Sequence, residues 1–385
     1  MQTAIPSVYP AEGTFESSSI HIDLACVTPG ARIHYTVDGS QPTADSPVYR
    51  RELGLLLLKG RETQEITIAA FAEADGLDAS PIVRFHYTFN CCPKGVFRHE
   101  LLREPAAKHS GIIRIEDFDL DKMYLVIGQN RAVLVDAGWD ETGDLPALCH
   151  ALTGGLPIDL IIAHGHPDHI AQIMQFVHAG SRIYMPHADA RTAAEFGIEL
   201  PLDIIHDIPD GTLFDLGGTI LRVYSFPGHT PGGIVLVDEA TGDVFSSDEL
   251  GSNRRYIPDT AWLQINDTTL ESCLRTLERF MAQTDGKLKR IFTGHNDEIL
   301  DAQSYLKVFH TALKKAVDGG EDMLVPSLRS AEESFGSGTA AIEGDYRCDP
   351  VWAGANLKFL YDLDTVQTPP HYVKGFFPNI KTQLG

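Results

Sequence analysis

The stretch IIAHGHPDHIAQ, from Ile161 to Gln172, constrains this 385-residue chain more than any other. His164, His166, Asp168 and His169 fall within six positions, directly after an apolar run. The run PIDLIIA reads as a buried strand, Gly165 and Pro167 make a tight turn, and Asp168 and His169 open a helix. His164 and His166 are two apart, so an extended segment points both to one side. Asp168 and His169, on the first helical turn, can face a second point. Neutral imidazole and carboxylate are the ligands that divalent zinc, iron or manganese accept.

One short turn cannot fill two metal spheres, so further ligands are expected at other strand ends. Three segments have that form: LRVYSFPGHTPGG delivers His229, DVFSSDEL delivers Asp248, and KRIFTGHND delivers His295. In each, an apolar strand runs into small residues and then a candidate ligand. The remaining histidines (His21, His34, His86, His99, His109, His150, His178, His310 and His371) read as surface or satisfied core residues. His187 and His206 read as loop residues at the surface.

The chain is long enough for two or three cores. Residues 1–90 alternate with period two: Ile33, Tyr35 and Val37; Ile66, Ile68 and Ala70; Val83, Phe85, Tyr87 and Phe89. LGLLLL, Leu53–Leu58, reads as a buried strand. This texture suggests a small β-sandwich. Residues 91–110 break the alternation and read as a connector. Residues 111–320 alternate strands (YLVIG, AVLVDAG, PIDLIIA) with helices (HIAQIMQFVHAG, TLESCLRTLERFMAQ, AQSYLKVFHTALKKAV), the pattern of an α/β domain. Residues 321–385 read as a glycine-broken loop and short strands packed on that domain. Cys26, Cys149, Cys273 and Cys348 read as fillers or idle thiols; Cys91 and Cys92 are either inert or redox-active. With no dense disulfide framework, no secretory pattern at the start and no apolar run of membrane-spanning length, a soluble cytoplasmic protein is expected.

Two resemblances follow. IHYTVDGSQPTADSPVY with the closing SPIVRFHYTF resembles the immunoglobulin-like module at the C-terminus of chitobiases and β-hexosaminidases. In that family the module is an accessory, which implies glycan or partner contact, or a plain β-spacer. HGHPDH, GHT, SSD and TGH, in that order, resemble the metal-ligand motifs of the metallo-β-lactamase superfamily, and YLVIGQNRAVLVDAG resembles its opening strands. This resemblance covers roughly residues 111–320. It implies a four-layer αββα sandwich behind the small all-β domain, and two divalent metal ions, zinc foremost, with iron or manganese open. Carried over by motif, His164, His166 and His229 would hold one ion, Asp168, His169 and His295 the other, and Asp248 would bridge them, with hydroxide between. Asp168 would also carry the proton. Asp136 matches the family's Asp-x-Gly turn; it either orients a ligand histidine or caps the turn. Two positions depart from the family's usual pattern: Ala163 stands where Thr or Ser is common, and Ser247 where Gly is.

His166 stands where relatives that reduce oxygen or nitric oxide at iron carry glutamate, and no flavodoxin-like phosphate loop is seen, so hydrolysis is favoured. A net charge of −22 and the absence of a basic stretch weigh against nucleic acid as partner. The glyoxalase-II-like and lactonase-like branches, which cut small esters, thioesters and lactones, fit best. Phosphodiester chemistry, an iron-dependent oxidoreductase, and a glycan- or partner-binding protein with a vestigial metal domain stay open. Arg254 and Arg255 could clamp a substrate anion and Tyr256 could donate to an oxyanion, or the loop is simply solvated. A homodimer through the sandwich or the tail is also open.

Overall fold

The computed structural model describes residues 2–15, 19–50, 55–58, 63–90, 92–106, 110–251, 260–261, 268, 270–296, 299–318, 324–326, 341–342 and 358–361. Two compact units emerge, one built on Met1–Cys91 and the other on Cys92–Arg254 with Asp259–Leu328.

The first unit carries β1 (Ser7–Tyr9), β2 (Gly13–Phe15), β3 (Ser19–Ala25), β4 (Arg32–Thr36), β5 (Leu55–Leu58), β6 (Gln64–Glu73) and β7 (Val83–Phe89). Two sheets form, β1-β3-β5 and β2-β7-β6-β4. The alternating residues Ile33, Tyr35, Ile66, Ile68, Ala70, Tyr87 and Phe89 meet Ile22, Leu24, Leu55 and Leu57 in one core. His34 is buried on the other face of β4, stacked on Phe71 with its Nδ1 against the Ser46 carbonyl.

The second unit opens with β8 (Arg98–Arg103), inside the stretch expected to be a connector. β8 is an edge strand whose His99, Glu100 and Leu101 are exposed, so its sequence carries no alternation to read. Next come β9 (Gly111–Glu116), β10 (Lys122–Ile127), β11 (Ala132–Val135), α1 (Leu145–Leu152), β12 (Ile158–Ile161), α2 (Pro167–Ile170), α3 (Ile173–His178), β13 (Ile183–Tyr184), α4 (Ala190–Glu195) and β14 (Ile205–His206). These strands make one sheet, ordered β14-β13-β12-β11-β10-β9-β8. A second sheet, β15-β16-β17-β18-β20-β21, takes β15 (Leu213–Asp215), β16 (Ile220–Ser225), β17 (Ile234–Asp238), β18 (Asp243–Ser247), β20 (Arg290–Thr293) and β21 (Leu300–Asp301). The chain between β18 and β20 includes β19 (Thr260–Ala261) and α5 (Leu270–Thr284), and α6 (Ala302–Val317) follows β21.

The layer order follows from strand alternation. In β10 and β11, Met123, Leu125, Ala132 and Leu134 join Leu145, Ile173 and Phe176 of the helices in one core. Their neighbours Tyr124, Val126, Val133 and Val135 meet Leu221, Val223, Leu236, Phe245 and Phe292 of the other sheet. On the far side Val235, Val237, Val244 and Ile291 pack on Leu274, Leu277 and Phe280 of α5 and Leu306 and Phe309 of α6. The result is the expected αββα sandwich.

Three short tail strands are described: β22 (Leu324–Pro326), β23 (Ala341–Ile342) and β24 (Lys358–Tyr361). β23 pairs antiparallel with β5 and supplies its edge with ladder partners, whereas β19, β24 and β22 form a separate sheet. The tail, expected to pack on the catalytic domain as a whole, is thus divided between the units. No helix among the described residues is long and apolar enough to cross a membrane.

Candidate metal centre

Every predicted ligand stands just beyond the C-terminal end of a strand: His164 to His169 after β12, His229 after β16, Asp248 after β18 and His295 after β20. The first four therefore come from one sheet and the last three from the other. His166 has extended backbone and precedes Pro167 at the start of α2, so the chain turns sharply between the two pairs of ligands. Gly165 is required there, since a Cβ would lie 2.4 Å from the Asp189 carbonyl oxygen. Gly294, before His295, lies equally close to Asp248: a Cβ would sit 2.4 Å from its Oδ1.

The structure brings all seven residues together. Three sets have ligand atoms within 4.8 Å of one another: His164, His166 and His229; His164, His169 and Asp248; Asp168, His169 and His295. His166 Nδ1 lies 3.0 Å from both His164 Nε2 and His229 Nε2. Four ligands around a zinc ion with Zn–N near 2.0–2.1 Å sit roughly 3.3 Å apart, so this spacing suits a cation. Asp248 Oδ2 is 3.1 Å from His295 Nε2, 3.6 Å from His169 Nε2 and 4.0 Å from His229 Nε2, so it approaches both groups. Asp168 stands 3.7 Å from His295 Nε2 and 3.8 Å from His169 Nε2. Six of the seven are buried, while the Asp248 side chain keeps 12% exposure and marks the open side.

Two buried atoms test whether a cation fits. His169 Nε2 and Asp248 Oδ1 have no hydrogen-bond partner, and both residues belong to the cluster. Leaving such atoms unpaired in a protein interior is costly, and a bound cation satisfies both. The electrostatics agree. Burial, reinforced by neighbouring imidazoles, pushes His164 and His166 far down and keeps them neutral, as ligands must be. At His169 burial alone lowers the pKa, but Asp136, Asp168 and Asp248 outweigh it and raise it well above the usual value. Asp168 and Asp248, on the Nε2 side, call for positive charge there, whether proton or metal. Burial opposes ionisation of Asp248, yet His295 and His169 hold it well below the ordinary carboxylate range.

Behind the ligands stands a shell of buried acids. Of the two roles left open by the sequence, Asp136 makes the contact that orienting a histidine requires. In a left-handed backbone (φ 65°) it accepts the Ala163 N–H at 2.9 Å and holds His169 Nδ1 at 3.0 Å. Asp121 Oδ1 lies 3.1 Å from His295 Nδ1. Asp117 fixes the segments bearing both, accepting from the backbone N–H groups of Asp119, Asp121, Trp139 and Asp140. Asp189 joins the two ligand loops: it accepts the N–H of Gly165 at 2.5 Å and of Gly232 at 2.7 Å, with the Thr192 and Thr230 hydroxyls. Glu249, fully buried, accepts the His229 N–H at 3.3 Å. Sequence reasoning passed over Asp117, Asp121, Asp189 and Glu249, since a lone acid in a strand end or loop looks solvated. Asp189→Ala leaves two buried backbone donors unpaired. It is expected to cost about 2–4 kcal/mol, read as a lowered urea midpoint at unchanged slope.

Other expectations sort plainly. His187 holds the Ile205 carbonyl and His206 is exposed beside Tyr184; neither joins the centre. Arg254, Arg255 and Tyr256 lie outside the described residues, as does Cys91. Cys92 is buried, its Sγ against the Val96 carbonyl.

Two face-to-face sheets thus lie between helix layers, with histidines and aspartates converging at one end. Residues 121–295 match the family model of the metallo-β-lactamase superfamily, and residues 10–83 that of the chitobiase/β-hexosaminidase C-terminal domain. The second unit is thus a metallo-β-lactamase superfamily domain, preceded by a chitobiase-type module. Among solved structures the chain is similar to DIM-1 metallo-β-lactamase (18% identity, 56% of this chain and 98% of that one, TM-score 0.46). It is also similar to a metallo-β-lactamase from Pontibacter korlensis (21%, 56% and 99%, TM-score 0.45). A third is FIM-1 from Pseudomonas aeruginosa in its mono-zinc form (17%, 58% and 98%, TM-score 0.46). No curated protein gives a significant match.

Proposed function

We propose that this protein is a binuclear metal-dependent hydrolase of a small acyl ester, thioester or lactone. The observation that carries the reading is Asp248, a single carboxylate within 4.0 Å of histidine nitrogens from both groups and on the open side of the cluster. His164, His166 and His229 would hold one cation, Asp168, His169 and His295 the other, with Asp248 shared. Such a pair, with zinc foremost and iron or manganese as alternatives, lowers the pKa of water to about 7 and polarises a carbonyl. Asp168 would take the proton of the attacking water and return it to the leaving alcohol or thiol as the acyl bond breaks. The buried acids hold the imidazoles so that their lone pairs converge.

The free thiols of Cys26, Cys149 and Cys273 support a reducing compartment such as the cytoplasm. The net charge of −22 supports a small-molecule substrate over nucleic acid. On this reading the N-terminal module is an accessory that contacts glycan, a protein partner or a second copy of the chain.

The test is elemental analysis of protein purified without chelator or added metal, followed by a panel of thioesters, lactones, aryl esters and phosphodiesters. Two equivalents of a divalent metal with turnover of an acyl substrate are expected. One redox-active iron with oxygen consumption on a persulfide would replace the reading by an oxidoreductase, phosphodiester turnover alone by a phosphodiesterase. No metal even after reconstitution would overturn it altogether.

A further inference from the structure

Ser247 ends β18 immediately before Asp248, and its backbone is left-handed, with φ 48°. That region suits glycine and is costly for a residue with a side chain. A serine held there needs compensation, and the surroundings show where it comes from. Ser247 Oγ lies 2.6 Å from Asp136 Oδ2, 3.3 Å from His164 Nδ1 and 3.2 Å from His169 Nδ1. All four residues are buried.

Proton counting fixes the directions. A hydroxyl has one proton and two lone pairs, and an ionised carboxylate only accepts. The short contact to Asp136 uses the Ser247 proton, leaving the oxygen only lone pairs to offer the imidazoles. His169 Nδ1 can give its proton to Asp136 Oδ2, 3.0 Å away. His164 has Ser247 Oγ beside Nδ1, while its Nε2 faces His166 Nδ1 at 3.0 Å. The proton of His164 therefore sits on Nδ1, and the Nε2 lone pair faces the three-histidine group.

We propose that Ser247 is a positioning residue: its hydroxyl fixes the His164 tautomer and links one histidine of each group through Asp136. The chain runs His164 Nδ1–H to Ser247 Oγ–H to Asp136, which also receives His169 Nδ1–H. The metal consequence rests on the reading that these histidines hold cations; the tautomer itself does not.

The experiment uses the full chain, wild type, Ser247→Ala and Ser247→Gly. Long-range proton–nitrogen NMR of chelator-treated protein at neutral pH reads the His164 tautomer. Stepwise cobalt(II) titration, followed by visible absorption, reads the affinity of each group. Wild type is expected to hold His164 with the proton on Nδ1, and both variants to give a tautomer mixture. The three-histidine group should lose affinity about 10- to 100-fold in both. The other group should lose less, because His169 keeps Asp136. Ser247→Gly relieves the backbone and should melt above Ser247→Ala without metal, which keeps a folded variant in hand. An unchanged His164 tautomer in both variants overturns the proposal. So does an equal loss of cobalt affinity at both groups that tracks the metal-free melting temperature, as a purely structural residue would give. A wild type that takes up no cobalt yet shows the Nδ1–H tautomer would sink the hydrolase reading and leave the Ser247 assignment standing.

Discussion

Asp248→Ala is expected to leave a folded protein whose turnover falls at least about a thousandfold, about 4 kcal/mol of barrier. Three facts set that size. The carboxylate lies within 4.0 Å of nitrogens on His169, His229 and His295, which belong to both metal groups. Its side chain is the most exposed of the seven, at 12%. Its removal also takes the counter-charge from histidines buried in an apolar interior, where unbalanced charge is expensive. Metal content should fall by at least half in the same sample, with little change in circular dichroism. Near-normal turnover on an acyl substrate would place the chemistry elsewhere.

Removing the cations from the wild-type chain should lower its melting temperature by about 8–16 °C. A ligand present at a thousand times its dissociation constant adds about 4.1 kcal/mol to the folded state. For a unit of this size each kcal/mol shifts the midpoint by about 2–4 °C. The chain itself supplies the reason to expect a large effect. Without a cation, ring nitrogens of His164 and His229 each stand 3.0 Å from His166 Nδ1, and His169 Nε2 and Asp248 Oδ1 are buried without partners. The shift is read by differential scanning calorimetry with and without chelator and should return on adding zinc. The absence of any shift, with metal shown to leave, would mean that the cluster is satisfied on its own.

The candidate ligands stood out in the sequence because each breaks a local rule. A histidine among glycines after an apolar strand has no packing reason to be there, and His164, His229 and His295 all stand so. The fold was legible where strands are buried on both faces, as in β10 and β11, or where a helix keeps its period, as in α5. β8 was not, because an edge strand lies against its sheet with exposed, mixed side chains. The acids behind the ligands were not, because an acid differs from a solvated one only in what surrounds it. Asp189 binds Gly165, 24 residues before it, and Gly232, 43 residues after it. Ser247 looked like a small replacement for glycine; its three contacts are to residues 83, 111 and 78 positions away.

The division of the ligands between two sheets also bears on when the centre can be made. A ribosome releases His164, His166, Asp168 and His169 first, and each group then still lacks a member carried by the second sheet. The last of the seven is His295, in β20's wake, and β20 lies between β18 and β21 in the second sheet. The set of seven is therefore complete only after some three-quarters of the 385 residues have been synthesised. A nascent chain stalled before β20 would display half-built chelating turns to whatever ions the compartment holds. On the proposed reading, the full set of ligands can close around a cation only once the second sheet has joined the first.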